Sequence, residues 1–135
     1  IWCSGETAMA SWDVTTAGSR LEFDTDHGRE HSCYQIDSNH FINFWGGPDY
    51  DGFVQVFEVN TSTWAVTSAG SRLEFDTDCG VEQSCYQVDS NHFINFWRGP
   101  DYDGFVQVFE VNTSTWAVTT SAARLEFDTD QGRYH

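Results

Sequence analysis

The amino-acid sequence predicts an all-β fold, built from four-stranded antiparallel meander repeats that stack as β-propeller blades. A near-exact internal repeat and short runs rich in aromatic and β-branched residues favour this class. No segment spaces its apolar residues at about 3.6 over three turns, so helices are not expected. A two-sheet β-sandwich is the alternative, since it too buries one face of each four-stranded unit.

The repeat has a period of 52 residues. Residues 21–72 recur as 73–124 with differences at nine positions, and residues 125–135 begin a third copy. Residues 1–20 match the end of a preceding copy only from Trp12 onward. We therefore expect an incomplete repeat or cap at 1–20, two full repeats, and the start of a third.

Each full repeat contains four strand signals, here given for the first one. CYQID at 33–37 and HFINFW at 40–45 are separated by a Ser-Asn turn. GFVQVFEV at 52–59 follows the turn-forming GGPDYDG, and WAVT at 64–67 is expected to continue toward LEF. FINFW and FVQVF place apolar side chains on both faces, so each sheet is predicted to be covered on both sides.

The first repeat resembles a blade of the kelch-type β-propellers. FINFW is followed by Gly46 and Gly47, and six residues separate the aromatic Phe57 from Trp64. The second repeat keeps both aromatic positions but breaks the double glycine. Its corresponding residues are Arg98, Gly99, Phe109 and Trp116. The resemblance implies a propeller and little about activity, because kelch-like blades occur in binding modules and in some oxidases.

The chain is strongly acidic. It has 21 Asp and Glu against 6 Lys and Arg, and its formal net charge is −15. Such a surface repels phosphate backbones and anionic lipid headgroups, so nucleic-acid and membrane-surface binding are not expected. No apolar run approaches the roughly 20 residues that span a bilayer. Aromatic residues make up 16% of the chain, which excludes a disordered acidic tail.

Acidic loops are predicted to share one end of the meander, because the turn after strand 2 and the connection to the next repeat lie together. In one interpretation these acids solubilise loops and cap turns. In the other, carboxylates at alternate positions beside a turn glycine hold a divalent cation, with Ca²⁺ the expected ion. The candidate ligands are Asp24, Asp26, Asp49, Asp51, Asp76, Asp78, Asp101 and Asp103.

His40 and His92 follow the Ser-Asn turns, at the end opposite the acids. We expect them to make turn-flanking hydrogen bonds rather than to bind a transition metal. No Ser-His-acid trio or Cys-His pair stands out in the sequence, so the chain is not expected to be an enzyme. A fragment of a carbohydrate-active enzyme remains an alternative, because spare carboxylates could pair as in a glycosidase.

The favoured function is a non-enzymatic binding or adhesion module at the cell surface or outside the cell, with glycans as ligands. Exposed aromatic rings could stack on sugar rings while Asp and Asn accept hydroxyl hydrogen bonds, although the tryptophans could instead pack the blades. Two and a half blades cannot close a ring, so a self-assembling structural protein, or a part of a longer propeller, is the alternative. The candidate glycan-stacking residues are Trp45, Tyr50, Trp97 and Tyr102.

Four cysteines and two glycosylation sequons are compatible with an extracellular setting, as is the absence of Lys. The sequons begin at Asn60 and Asn112. A spacing of six residues suits a small disulfide ring in the second repeat, and the remaining two cysteines could meet where adjacent sheets pack. The expected disulfides are therefore Cys79–Cys85 and Cys3–Cys33.

Overall fold

The computed structural model describes residues 13–129, which form two antiparallel β-sheets and confirm the all-β prediction. Sheet A contains β1 (Arg29–Gln35), β2 (His40–Gly46), β3 (Gly52–Val59), β4 (Val66–Ser68) and β5 (Leu73–Asp76). Sheet B contains β6 (Val81–Gln87), β7 (His92–Arg98), β8 (Gly104–Val111), β9 (Val118–Thr120) and β10 (Leu125–Asp128). Within residues 13–129, no helix is both long and apolar enough to cross a membrane.

Each sheet is an up-and-down meander with a divided fourth strand. In sheet A, β4 pairs with one end of β3 at Phe57–Val59, and β5 pairs with its other end at Gly52–Val54. The two short strands therefore share the edge of β3 and are interrupted between residues 68 and 73. This arrangement matches the prediction that WAVT continues toward LEF, and β8, β9 and β10 repeat it in sheet B.

The central hairpin of each sheet is regular, whereas the first strand is not. Pairing of β2 with β3 runs without a shift from His40 opposite Glu58 to Gly46 opposite Gly52. The register of β1 shifts between Arg29 and Ser32, around a Glu30 that has a φ of 54°. Such bulges increase the local twist of a strand. The same bulge recurs in β6.

The two sheets pack face to face, and each sheet uses a different face of the repeat unit. Sheet A contributes four fully buried side chains, and sheet B contributes the face that carries Trp97 and Phe109. In sheet A the residues equivalent to these two, Trp45 and Phe57, lie in a separate cluster on the far side. Contact between the repeats is therefore head to tail. The four buried side chains of sheet A are Ile42, Phe44, Val54 and Val56.

Phe75 of β5 links the two sheets. Its ring makes edge-to-face contacts with Phe44 of sheet A at 5.9 Å, and with Trp97 and Phe109 of sheet B at 5.0 and 5.4 Å between centroids. Each such pair contributes about 0.5–1.5 kcal/mol beyond its buried area. The divided fourth strand therefore belongs to one sheet by its pairing and to the next by its packing.

Among residues 13–129, eight residues other than glycine have positive φ angles, in four pairs related by the repeat. They are Glu30 and Glu82, Asp49 and Asp101, Tyr50 and Tyr102, and Trp64 and Trp116. None of the glycines in the described part of the chain has a positive φ. Several glycines instead permit close approach: a Cβ on Gly70 would lie 2.1 Å from the carbonyl oxygen of Trp116.

Candidate functional site

The acidic loops do share one end of the molecule, as the meander predicted. The turn Pro48–Tyr50 between β2 and β3 lies against the loop after β5, because the Gly80 N–H donates to the Tyr50 carbonyl at 2.8 Å. Asp51, which follows this turn, also shares a hydrogen bond with Glu74 of β5. The turn between β2 and β3 of the first repeat is thereby joined to the start of the second repeat.

A cleft of about 440 Å³ opens at this end between the two repeats. We call it the inter-repeat cleft. It combines the turn Pro48–Tyr50, the loop after β5, the end of β7 and the turn Pro100–Tyr102. The tyrosine residues of the two turns are 54% and 50% exposed. The lining residues are Tyr50, Cys79, Arg98, Gly99, Asp101 and Tyr102.

Left-handed backbone holds each tyrosine at the rim of the cleft. Asp49 and Tyr50 have φ angles of 54° and 70°, and the Asp51 N–H closes the turn on the Pro48 carbonyl at 2.9 Å. Asp101 and Tyr102 repeat these angles in the second turn. A left-handed residue with a Cβ costs about 1–2 kcal/mol. Backbone strain of this kind concentrates at functional sites.

Arginines lie over both tyrosine rings. The guanidinium carbon of Arg29 is 4.7 Å from the Tyr50 ring centroid, and that of Arg98 is 4.7 Å from the Tyr102 ring centroid. Both distances suit cation–π contacts. Arg98 also forms an ion pair with Glu82, whose Oε1 lies 3.3 Å from Nε without hydrogen-bond geometry. The cleft is therefore lined by ordered aromatic rings and by a guanidinium with donor capacity left over.

Negative charge is concentrated beside the cleft at Asp51. Burial, the hydrogen bond with Glu74 and the charges of Glu74, Asp49 and Asp76 together raise the pKa of this carboxyl to about 6. Proton sharing between neighbouring carboxyl groups relieves like-charge repulsion. Protonation of Asp51 therefore relieves part of this repulsion only as the pH falls below about 6.

Asp76 serves as a structural acceptor rather than an open metal ligand. Its Oδ2 accepts hydrogen bonds from Trp97 Nε1 and an Arg124 guanidinium nitrogen, both at 2.9 Å. Its Oδ1 accepts the backbone N–H groups of Asp78 and Cys79 at 3.0 and 3.1 Å. The two backbone bonds organise the loop between β5 and β6, and the other two tie this loop to Trp97 of β7 and to Arg124.

Asp24 plays the same part in the first repeat. It accepts Trp45 Nε1 at 2.9 Å and the backbone N–H groups of Asp26 and His27 at 3.0 and 3.2 Å. Burial alone would raise its pKa, but these hydrogen bonds and the charge of Arg72 lower the pKa below its ordinary value.

The predicted calcium ligands do not come together in the described part of the chain. In residues 13–129, no three His, Cys, Asp or Glu side chains are grouped as a metal ion would require. Asp26, Asp49, Asp78 and Asp101 are exposed, and Asp103 is half-buried at the end of its turn. Two of the eight candidate aspartates, Asp24 and Asp76, already accept hydrogen bonds from tryptophan indole N–H groups.

The glycan prediction is wrong for two of its four residues. Trp45 and Trp97 are fully buried, so neither can stack on a sugar. Each donates its indole N–H to an aspartate, which explains why a polar aromatic occupies an interior position. Tyr50 and Tyr102 remain candidates, since both line the inter-repeat cleft.

The histidines make the predicted turn hydrogen bonds. His40 Nδ1 lies 2.9 Å from Asp37 Oδ1, and His92 Nδ1 lies 2.8 Å from Asp89 Oδ1. The His40 ring also stacks on Trp116 of the second repeat, with 3.6 Å between centroids. The turn thus adds a contact between repeats.

The predicted Cys79–Cys85 disulfide is wrong, because both cysteines are free thiols. Cys79 lies in the loop, whereas Cys85 lies four residues into β6, about 13 Å along an extended strand. Burial raises the pKa of Cys85 to about 12. Cys33 is free and exposed, and Cys3 lies outside the described residues.

Both sequon asparagines lie in exposed turns. The Asn60 side-chain oxygen accepts the backbone N–H groups of Ser62 and Thr63 at 2.9 and 3.1 Å, and Asn112 makes the equivalent bonds. The side-chain oxygen therefore has a structural role in each turn.

Sequence reasoning missed Arg98 and Cys79 as residues of the site. A signal was present, because both occupy positions where the two repeats differ: the first repeat has Gly46 and His27 there. The cleft therefore contains two side chains that the equivalent positions of the first repeat do not supply. No protein-family model, curated protein or solved structure matches this chain.

Proposed function

We propose that the chain is a non-enzymatic binding module of blade-like repeats, which takes neutral glycans in the inter-repeat cleft. The observation that carries this proposal is the convergence of two half-exposed tyrosines on one cleft, beside Arg98 and Asp101. Carbohydrate sites combine aromatic rings with a few well-placed polar groups. The proposal includes the extracellular or cell-surface location and the kelch-like propeller expected from the sequence.

The chemistry of the lining suits a sugar. A tyrosine ring packs against the C–H face of a pyranose, Arg98 donates N–H groups, and Asp101 accepts hydroxyl protons. A volume of about 440 Å³ falls in the range of small-molecule sites. The net charge of −15 disfavours acidic sugars, so neutral oligosaccharides are the expected class.

Immobilised neutral oligosaccharides test this proposal directly. We expect retention that free sugar competes away, and a loss of about fivefold in affinity for Tyr102→Ala, because one aromatic contact contributes about 1 kcal/mol. Tyr86→Ala is the matched control: Tyr86 lies on β6 and is as exposed as Tyr102, but it is outside the cleft. It should bind like the unmodified chain.

Two results would reject the proposal. One is the absence of retention on any neutral oligosaccharide by a folded protein. The other is equal loss of affinity for Tyr102→Ala and Tyr86→Ala, which would place binding elsewhere. Release of shortened sugars during the incubation would instead favour the carbohydrate-active enzyme.

Location is tested separately through the two sequons. Asn60 and Asn112 lie in exposed turns, where a glycosyl transferase could reach them. Expression through a eukaryotic secretory pathway should add glycan mass at both positions. Mass spectrometry that finds both asparagines unmodified would remove this support for an extracellular location.

A structural self-assembling protein is the second candidate function. It is favoured by the head-to-tail contact between the two sheets, which leaves a complementary face at each end of the described chain.

A further inference from the structure

The outer face of sheet A carries an apolar groove of about 290 Å³. We call it the end groove. The chain segment before β1 forms one wall, and β1 to β4 form the remainder. Its apolar lining includes Leu21, Phe23, Cys33, Phe41, Val59 and Val66.

The end groove has an exact counterpart inside the molecule. Adding one period of 52 residues to each lining residue gives side chains that sheet A covers in the contact between the sheets. Phe93 and Val111 are fully buried there, and Cys85 and Val118 are nearly so. Leu73 and Phe75 pack against the same cluster. The interior thus shows what closes this surface: the face of a repeat that carries Ile42, Phe44, Val54 and Val56.

The same covering face is present at the other end of the chain. It is formed by four residues of β7 and β8, each 52 positions after one of the covering side chains of sheet A. All four are half-buried. They are Ile94, Phe96, Val106 and Val108. The described chain therefore has both a groove and the face that fits it, on opposite ends.

We propose that a second copy of this chain docks the outer face of its sheet B into the end groove. The contact continues the head-to-tail packing of the two sheets and uses the same residue types at equivalent positions. An interface of this type joins unlike surfaces, so it propagates into a ring or a filament.

Two segments would occupy the same strand position in this contact. On the groove side, Phe23 already packs on Trp45 at 5.0 Å, as Phe75 packs on Trp97 at 5.0 Å. The docking copy brings β10, whose Phe127 occupies the position equivalent to Phe23. Only one of the two segments can lie between the sheets.

One position of the repeat, which is glycine in two copies and alanine in the third, determines which of the two segments fits. A Cβ on Gly18 would lie 2.2 Å from the carbonyl oxygen of Trp64, and Gly70 is equally close to Trp116 in the interior. The third position of this series is Ala122, whose Cβ does not fit against a carbonyl at that distance. We therefore place residues 18–24 of the groove copy in the contact, beside β8 of the docking copy and in place of its β10, while β9 stays in its sheet because Val118 is buried in the core.

The docked contact differs from the internal one at Arg98. The equivalent Gly46 lies so close to the second repeat that its Cβ would be 3.2 Å from Val81 Cγ1. An arginine there packs less closely, so association should be weaker than the internal contact and should depend on protein concentration. Arg98→Gly is expected to strengthen it.

Complementary variants test the two surfaces. Val108→Glu places a charge on the docking face, and Val59→Glu places one in the end groove; the equivalent Val56 and Val111 are fully buried in the interior. Each variant should associate at least about 100-fold more weakly than the unmodified chain, because an unpaired charge is buried. Mixed together, they retain one intact pair of surfaces and should form a 1:1 dimer of about 31 kDa, twice 15.4 kDa.

Light scattering over a concentration series provides the measurement, and circular dichroism checks folding. Thr119→Glu is the matched control, because the equivalent Thr67 stays exposed although the next repeat packs beside it. Cys33→Glu, at an exposed position of the groove, replaces Val59→Glu if the latter unfolds. A folded, unmodified chain that remains a 15.4 kDa monomer at all concentrations overturns the proposal, as does a mixture that forms no dimer.

Two phenylalanines test the strand exchange with opposite signs. Phe127→Ala loosens β10 and should strengthen association, since it frees the edge of β8. Phe23→Ala removes the anchor of the exchanging segment and should weaken association. The reverse pair of signs would refute the exchange of residues 18–24 for β10.

Discussion

Asp76→Asn is the sharpest test of the interior polar network. The carboxylate is 4% exposed and accepts four hydrogen bonds, two through each oxygen. In the variant the amide oxygen can keep the two backbone bonds. Its NH₂ group then faces the Trp97 indole N–H, so donor meets donor and a buried donor is left unpaired.

We expect this change to lower the free energy of unfolding by about 3 kcal/mol. The unpaired indole N–H costs about 1–3 kcal/mol. Loss of the half-exposed Arg124 partner adds at most about 1 kcal/mol. Urea denaturation followed by tryptophan fluorescence should show the midpoint falling by roughly 1–2 M.

Asp78→Asn is the control, because it removes the same charge from an exposed side chain two residues away. It should stay within about 0.5 kcal/mol of the unmodified chain. A loss below about 1 kcal/mol for Asp76→Asn, or equal losses for both variants, would refute the assignment of Asp76 as the acceptor that fixes Trp97.

Three further predictions address other features. Because the pKa of Asp51 is raised by folding, stability should fall as the pH rises from 3.8 to about 6, and Asp51→Asn should flatten this part of the pH profile measured by urea denaturation. Timed alkylation with mass spectrometry should modify Cys79 well before the buried Cys85, whose pKa is about 12; a bridge between them would contradict the loop geometry. In thermal unfolding, Trp116→Ala should destabilise the chain by about 1–3 kcal/mol, because it removes the stack on His40. Trp64→Ala is the control at the same backbone geometry; Trp64 is half-exposed, and its loss should cost less than about 1 kcal/mol. Equal effects would show that the stack on His40 contributes nothing.

The strands could be predicted because their signals are local. Turn residues bracket β2 and β3 on both sides, and β3 was placed at its observed bounds. The start of β1 was missed because a bulge at Glu30 puts polar residues into the strand, which broke the expected apolar pattern.

The candidate site was only partly predictable because it depends on contacts between repeats. Tyr50 and Tyr102 were found from their turns, which are local features. The burial of Trp45 and Trp97 depends on aspartates 21 residues earlier in the chain, and no local pattern reveals that pairing. The kelch-like propeller remains a prediction.

The placement of the glycines bears on how the repeat can diverge. A left-handed turn would be cheapest with glycine, yet the four such positions in each repeat carry Glu, Asp, Tyr and Trp. Glycines occupy the points of closest approach instead: a Cβ on Gly80 would lie 2.4 Å from the Gly52 Cα. In a library of sequence variants, glycine should therefore be accepted at Asp49 and Tyr50, while any side chain at Gly52 or Gly80 is lost. The residues that can vary are then those in the turns, where new ligands can be selected without rebuilding the sheet.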